Sequence, residues 1–346
     1  MATTQRAVVI QAPGVAKLVH DRPIPKLRDD YILVKTKAVA LNPTDWKHIK
    51  FLIHEPSPLV GCDYAGVVEA VGPKVTRGFK KGDRVCGMVH GSNTVQHEDG
   101  TFAEHIVAKA DLQIKIPGNV SFEEAATLGV GVTTVAQGLY QALGLALPKA
   151  PVKQPTTVLI YGGSTATGAL GIQFAKLSGY KVVTTCSSHN FDQVTALGAD
   201  AVFDYKDPEC AKKIREYTNN KLTLAWDTIS LPASAQICAD SLTSSPGAKY
   251  ASLLPVKFPR SDISVSSTTA YTAFGEAFTM GDKNLAAKPE DLEYASEFWD
   301  LARDLLEAGK IKAHQLRVKH GLENVLDGLQ AMEQNKVSGE KLVYTV

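Results

Sequence analysis

The chain carries no excess of either charge. Its 37 Lys and Arg face 36 Asp and Glu, a formal net of +1, so nothing electrostatic favours nucleic acid or an anionic membrane surface as a partner. It contains no run of 18 apolar residues, which gives no candidate for a membrane-spanning helix. The opening "MATTQRAVVI" has no apolar core behind a basic start, and no signal peptide is expected. The five cysteines, Cys62, Cys86, Cys186, Cys210 and Cys238, are scattered, odd in number and form no C-x-x-C pair. A disulfide framework is therefore not expected, and a reducing compartment, the cytosol, is. Internal repeats and low-complexity tracts are also missing. What remains is a globular composition, 44% hydrophobic and 21% charged, on 346 residues, a length that suits two domains better than one.

The first third reads as β-rich. "RAVVIQA", "YILVKTKAVAL", "GVVEAVG", "DRVCGMV" and "FAEHIVAK" alternate or are rich in β-branched residues, with "GPKVTRG", "KKGD" and "EDG" as turns between them. A compact barrel-like β domain is predicted. At "SFEEAATLG" the pattern changes: Ser121 caps a helix with Glu123 and Glu124 in its first turn. Beyond the Pro-rich linker "LPKAPVKQP", strands ("TVLIYGG", "YKVVTTC", "DAVFDY", "LAWDTIS", "AKYASLL") alternate with helical stretches. Repeated βαβ units predict a parallel sheet covered by helices on both faces. Two amphipathic helices follow, "EYASEFWDLARDLLEAG" and "LENVLDGLQAMEQ". The last strand, "EKLVYTV", has no partner in the βαβ array and is expected to return to the N-terminal domain.

The strongest chemical signal is "VLIYGGSTATGALGIQFAK". An apolar strand ends in a Gly-rich turn that opens a helix, an arrangement that aims backbone N–H groups at a pyrophosphate. Gly162 and Gly163 permit the tight turn and Gly168 the close helix–strand packing; Ser164, Thr165 and Thr167 add hydroxyls. Enzymes that use NAD place Asp or Glu after the second strand, ~20 residues on, to bind the ribose 2′-OH. Here "KVVTTC" is followed by Ser187, Ser188, His189 and Asn190, with no carboxylate. Hydroxyl, amide and imidazole donors suit a 2′-phosphate, and Tyr205, after the next strand, is placed to stack on it or bond near it. NADPH is the expected cofactor, although the arginine often used for this task is missing. Helix capping is the alternative role for Ser187, Ser188 and Asn190.

With "NPTDWK" (residues 42–47), "GCDYAGVV" and "KKGDRV", this arrangement resembles the zinc-independent quinone- and enoyl-reductase branch of the medium-chain dehydrogenase/reductase family, over nearly the whole chain. "YGGSTATG", "TCSSHNFDQ", "VFDYKD", "FGEAF" and "SGEKLV" narrow it to the trans-acting enoyl reductases of fungal highly reducing polyketide synthases, the lovastatin type. The implied fold is α/β. A GroES-like β-barrel catalytic domain takes residues 1–122 and 290–346, and a Rossmann domain with a doubly wound parallel sheet takes residues 123–289. Catalytic zinc needs three protein ligands and an open position. The resemblance puts the ligand positions at Asn42, Cys62 and within "LGVGVTT", and one thiol there has no imidazole or second thiolate beside it. The loop that carries four structural cysteines in zinc members, "HGSNTVQHEDG", has none. No metal is expected. Cys62 is expected to be a small packed residue, Asp63 to bond backbone N–H groups or a nearby basic group, and His90 and His97 to be solvated.

Without a Lewis acid, reduction of a C=C conjugated to a carbonyl remains feasible: hydride adds at the β-carbon and an enolate-like oxygen is stabilised by donors. The resemblance places Thr44, Asp45, Trp46 and Lys47 at the cofactor, with Ser164, Thr165, Ala166, Thr167, Ser187, Ser188, His189, Asn190 and Tyr205. Leu253, Leu254, Val337 and Ser338 edge the same site. Lys47 is the expected electrophilic donor; a surface lysine is the competing reading. The substrate channel is expected between the domains. Its lining is Gly129, Val130, Gly131, Val132, Thr133, Thr134, Val135 and Ala136, with Thr272, Ala273, Phe274, Gly275 and Glu276, and Thr133 and Thr134 within reach of the thioester. Interdomain packing is the bland alternative for both segments. The expected function is an NADPH-dependent enoyl reductase that acts in trans on an acyl-carrier-bound polyketide intermediate and its synthase, as a cytosolic monomer. A stand-alone quinone or alkenal reductase and a non-catalytic nucleotide-binding partner are the competing readings.

Overall fold

The computed structural model describes residues 3–53 and 56–346. The chain forms two compact units, one of residues up to Thr133 together with Tyr271–Val346, the other Thr134–Ala270.

The first unit is built around Tyr31–Ala40, a ten-residue strand whose inward positions are buried. One edge pairs antiparallel with Asp63–Val71 along its length. The other edge is divided between His105–Lys109, opposite Tyr31 to Lys35, and the C-terminal strand Lys341–Thr345, opposite Ala38 to Ala40. Register shifts at Leu33/Val34 and Thr36/Ala38 add the local twist that curls the sheet. Arg84–Met88 and Gln113–Lys115 extend the sheet on the far side of Asp63–Val71. The C-terminal strand thus returns to the N-terminal domain, with Val343 against Ala40. Its other neighbour, Leu316–His320, was not foreseen, because "LRVKH" is exposed and shows no alternation. The hairpin of Thr4–Ala12 with Val15–Pro23 turns on Pro13–Gly14, with Gly14 at φ +77°, where only glycine is comfortable. Ile10, Ile32, Val34, Leu59, Val68, Phe102, Leu342 and Tyr344 form the core.

The second unit carries six strands, all parallel, in the order Ala201–Asp204, Lys181–Cys186, Thr157–Tyr161, Leu224–Asp227, Lys249–Ser252, Ser264–Ser267. This is the doubly wound dinucleotide-binding order. Its direction reverses between Thr157–Tyr161 and Leu224–Asp227, and ligands bind outside the carboxyl ends of strands at such a point. Gly138 and Gly171 both back onto the buried Trp226 ring, which leaves no room for a Cβ at either position.

The unit boundaries differ from the expected 122 and 290. The helix Phe122–Ala125, capped by Ser121 with a reciprocal bond from Glu124, packs on Tyr31–Ala40 and Asp63–Val71. Past Ala270, Tyr271 stacks on His90 and Glu276 pairs with Lys109, so residues 271–289 also belong with the barrel.

Candidate functional site

In the second unit, strand Thr157–Tyr161 runs into Gly162 at φ +85° and then helix Ala166–Leu177. The N–H groups of Gly162 and Gly163 are both held by the Thr185 carbonyl, at 3.2 and 2.9 Å, which fixes the turn to the neighbouring strand. Thr165 is the helix N-cap. Its Oγ1 accepts the Gly168 N–H at 2.9 Å and lies 3.1 Å from Thr228 Oγ1, whose hydroxyl donates to the Tyr161 carbonyl at 2.7 Å. That hydroxyl therefore shapes the loop. Ser164, Ala166 and Thr167 stay half-exposed at the helix start, where first-turn N–H groups have no intrahelical acceptor. A Cβ on Gly168 would overlap the Gly162 carbonyl.

After the second strand, Ser187 and Asn190 hold N-cap positions, yet neither side chain makes a capping bond. Ser187 Oγ instead donates to Tyr205 OH at 3.4 Å. Ser188 and His189 are exposed and Asn190 is buried. Lys206, which sequence reasoning passed over, sets its ammonium 5.9 Å from the Tyr205 ring centre. Its signal was a basic residue directly after that tyrosine. At the switch point Asp227 is fully buried and accepts from Ile229 N, Ser230 N, Ser234 Oγ and Tyr250 OH. It thereby orients the loop whose Ser230 Oγ accepts the N–H groups of Leu253 and Leu254.

In the first unit, a buried polar cluster forms around "NPTDWK". Asn42 and Pro43 start the short helix Pro43–Lys47, and Asp45 Oδ2 accepts the Asn42 N–H at 2.7 Å. Burial, with the Asp63 charge adding to it, pushes the Asp45 carboxyl up to about 7, against the Asn42 bond that lowers it. Asp63 Oδ1 accepts the Val130 N–H at 2.6 Å, and Asp63 Oδ2 takes the Lys341 ammonium at 2.6 Å. The same ammonium donates to Asn42 Oδ1 at 2.8 Å. Cys62 is buried, its Sγ 3.5 Å from Tyr271 OH, and burial and the Asp45 charge push its thiol well above its usual range. Tyr271 OH also lies 2.8 Å from Thr44 Oγ1.

His90 is not solvated, contrary to the reading from its polar loop. It is 5% exposed, stacked on Tyr271 with centroids 4.3 Å apart and edged by Phe274 and Phe278. Burial pulls it down to about 3, and His48 likewise to about 4, so both rings are neutral. Tyr271 and Lys341 are the members that sequence reasoning missed. Lys341 had a signal, a charge opening an otherwise apolar strand; Tyr271 had only its place before "TAFGE".

Trp46 packs on the core and on Phe51. Lys47 is half-buried, lies 5.7 Å from the Trp46 ring, pairs with no carboxylate among the described residues, and has its ammonium pKa lowered by burial. In helix Gly129–Val135 all residues but Val130 are buried; Thr133 Oγ1 accepts the Trp299 indole N–H at 3.1 Å. Ala136 follows, also buried. Thr272 donates to Asp291, Ala273 and Phe274 are buried, and Glu276 is tied to Lys109 at 2.7 Å and Tyr31 OH at 3.2 Å. Glu276 is thus an ion-pair residue. Val337 packs against the barrel core, and Ser338 is exposed.

Residues 28–118 match the alcohol dehydrogenase GroES-like domain, and residues 166–248 match a domain described as zinc-binding dehydrogenase. The donor set does not fit zinc. Cys62 is a thiol bonded to tyrosine, both Asp63 oxygens are engaged, and an ammonium already sits on Asn42 and Asp63, where it would repel a second cation. Among the described residues no group of three or more His, Cys, Asp or Glu is arranged to hold a metal. The chain is 52% identical to a trans-enoyl reductase, resD, of Aspergillus sclerotiorum, covering 99% of this chain and 100% of that one. It is 58% identical to the trans-enoyl reductase TOXD of Cochliobolus carbonum over 80% of this chain and 93% of the relative. Among solved structures, a quinone oxidoreductase of Pseudomonas syringae superposes with TM-score 0.77 at 24% identity, covering 99% and 100%. An alcohol dehydrogenase superfamily protein of Novosphingobium aromaticivorans does so with TM-score 0.81 at 23% identity, covering 99% of each. At such identities these two show the fold alone.

Proposed function

The chain belongs to the trans-enoyl reductases of the medium-chain dehydrogenase/reductase family, and from that premise we propose an NADPH-dependent, zinc-independent enoyl reductase that acts in trans on a synthase-bound polyketide enoyl thioester. The observation that supports this most is the pairing of an intact pyrophosphate loop with a barrel-unit cluster whose donors do not fit a metal. In zinc dehydrogenases a Lewis acid assists alcohol oxidation, whereas conjugate reduction needs none.

Bound NADPH would supply the hydride for the β-carbon. Ser164, Ala166 and Thr167 would hold its pyrophosphate at the helix N-terminus, with Gly162, Gly163 and Thr165 shaping the turn. Ser187, Ser188, His189, Asn190, Tyr205 and Lys206 would take the 2′-phosphate, and Leu253, Leu254, Val337 and Ser338 would edge the cofactor. Thr44, Asp45 and Trp46 would present Lys47, whose ammonium, unpaired with any carboxylate among the described residues, would donate to the enolate-like oxygen. The segments 129–136 and 272–276 would line the acyl chain. Charge balance offers no case for nucleic acid, and among the described residues no helix is long and apolar enough to cross a membrane. A cytosolic monomer completes the proposal.

The test is NADPH oxidation with a pantetheine-linked α,β-unsaturated thioester beside a small quinone. Preferential thioester reduction is expected. Efficient quinone turnover with no thioester reduction would overturn the proposal in favour of a stand-alone quinone reductase.

A further inference from the structure

Lys341 opens a strand whose next residues, Leu342, Val343 and Tyr344, are buried in the core, and it is itself buried, with a side chain 3% exposed. Its carboxylate partner Asp63 is 0% exposed. Taking both charges out of water is costly, and well-packed apolar residues in their place often serve stability equally well or better. A buried pair at this position therefore needs a reason other than stability.

Its connections supply one. The ammonium holds Asn42 Oδ1 at 2.8 Å and Asp63 Oδ2 at 2.6 Å. Asn42 donates its N–H to Asp45 Oδ2, which closes the turn into Pro43–Lys47. The second oxygen of Asp63 holds the Val130 N–H at 2.6 Å, in the first turn of Gly129–Val135. One charge pair thus fixes the start of the segment that carries Thr44 and Lys47 and the start of the helix that carries Thr133. Removing the ammonium frees Asn42 Oδ1 and Asp63 Oδ2 together. Among the described residues neither oxygen has another partner that would hold the two segments in common.

We propose that Lys341 is a positioning residue for turnover: its buried ammonium sets the Asn42–Asp63 geometry that orients the 42–47 segment and the 129–135 helix. This rests on the reading that places those segments at cofactor and substrate. The variants are Lys341→Arg and the doubly neutral Lys341→Met/Asp63→Asn, which removes both charges of the pair together. Each is measured for melting temperature, NADPH affinity, kcat and KM, and for backbone hydrogen exchange without substrate.

For the double variant we expect a folded protein. Its kcat should fall ~10-fold or more, as misplacement of catalytic groups by an ångström does. Protection should be lost at residues 44–47 and at Val130. Lys341→Arg, which keeps the charge in a different shape, should fall between the double variant and wild type. A folded double variant with wild-type kcat and exchange would overturn the proposal. If that variant does not fold, wild-type kcat and exchange in Lys341→Arg would overturn it. Exchange needs no acceptor, so lost protection supports the positioning role whichever substrate the wild type reduces, and a wild type that reduces no thioester strikes the proposed function alone.

Discussion

Gly168→Ala tests the pyrophosphate loop at the position where helix and strand come closest. A Cβ there would stand 3.0 Å from both the Gly162 carbonyl carbon and the Gly163 Cα, and closer still to the Gly162 oxygen. These are backbone atoms, and the turn they belong to is pinned by Thr185 to the next strand. The helix start must give way, which strains the Gly168 N–H bond to Thr165. Overpacking of this kind costs ~1–3 kcal/mol, while alanine in place of glycine in a helix returns ~1 kcal/mol. A net loss of up to ~2 kcal/mol remains, so the melting temperature should fall modestly. Affinity should suffer more, because displaced N–H donors lose alignment with the pyrophosphate, and one charge-assisted bond is worth ~1.5–3 kcal/mol, at least a tenfold rise in NADPH Kd. Gly171→Ala, one turn along, is the control. Its Cβ meets the buried Trp226 ring rather than the loop, so it should lower the melting temperature and leave Kd within threefold. Titration of intrinsic fluorescence with NADPH alongside thermal unfolding separates the two. Wild-type affinity in a folded Gly168→Ala protein, or equal affinity loss in both variants, would refute the assignment of this turn.

Lys47→Ala should keep its fold and lose ~10²-fold in kcat/KM for the thioester, ~2.7 kcal/mol of transition-state stabilisation, and an unchanged rate would remove Lys47 from the chemistry. NADPH should exceed NADH in kcat/KM by ~10-fold or more, and Lys206→Glu should narrow that gap; equal constants in wild type would count against the 2′-phosphate reading. His90, whose folded pKa lies near 3, stays neutral while the unfolded chain takes up a proton below ~6.5, so it costs stability progressively as pH falls. His90→Gln should therefore gain on wild type by ~1.4 kcal/mol per pH unit below 6.5, and parallel urea-unfolding profiles from pH 6.5 to 5 would show the ring to be charged or exposed.

The parts of the fold that could be read from the sequence are those whose burial is periodic. Tyr31–Ala40 alternates, the Ser121 cap announces its helix, and each strand of the second unit up to Lys249–Ser252 is an apolar run between turns. Val15–Pro23, Leu316–His320 and Ser264–Ser267 escaped because they are edge or surface strands, with exposed residues and no face to betray. Their existence depends on distant partners. The same divide separates the loop of the second unit from the polar cluster of the first. The pyrophosphate loop is local, a strand, turn and helix in succession, so spacing reveals it. The barrel cluster joins Lys341 to residues 278 and 299 positions away, a link no spacing rule encodes. His90 misled for a related reason: its own loop is polar, and the aromatic cover comes from Tyr271, Phe274 and Phe278.

The charge state of that cluster bears on the proposal that Lys47 serves as the electrophile. Lys341 and Asp63 cancel one another at 2.6 Å. His48 and His90 are held neutral by burial, and Cys62 is held as a thiol. Asp45 contributes either no charge or a negative one as it titrates near 7. The cluster therefore holds backbone segments in place but offers no positive charge of its own to a developing oxyanion, and its donors do not fit a metal that would supply one. In Pro43–Lys47 one cation is left. Lys47 keeps its ammonium half-exposed, bound to no carboxylate among the described residues, with a pKa lowered by burial that makes it a better proton donor than a solvated lysine. The buried residues fix where this side chain begins, and its uncommitted charge is what they have to present.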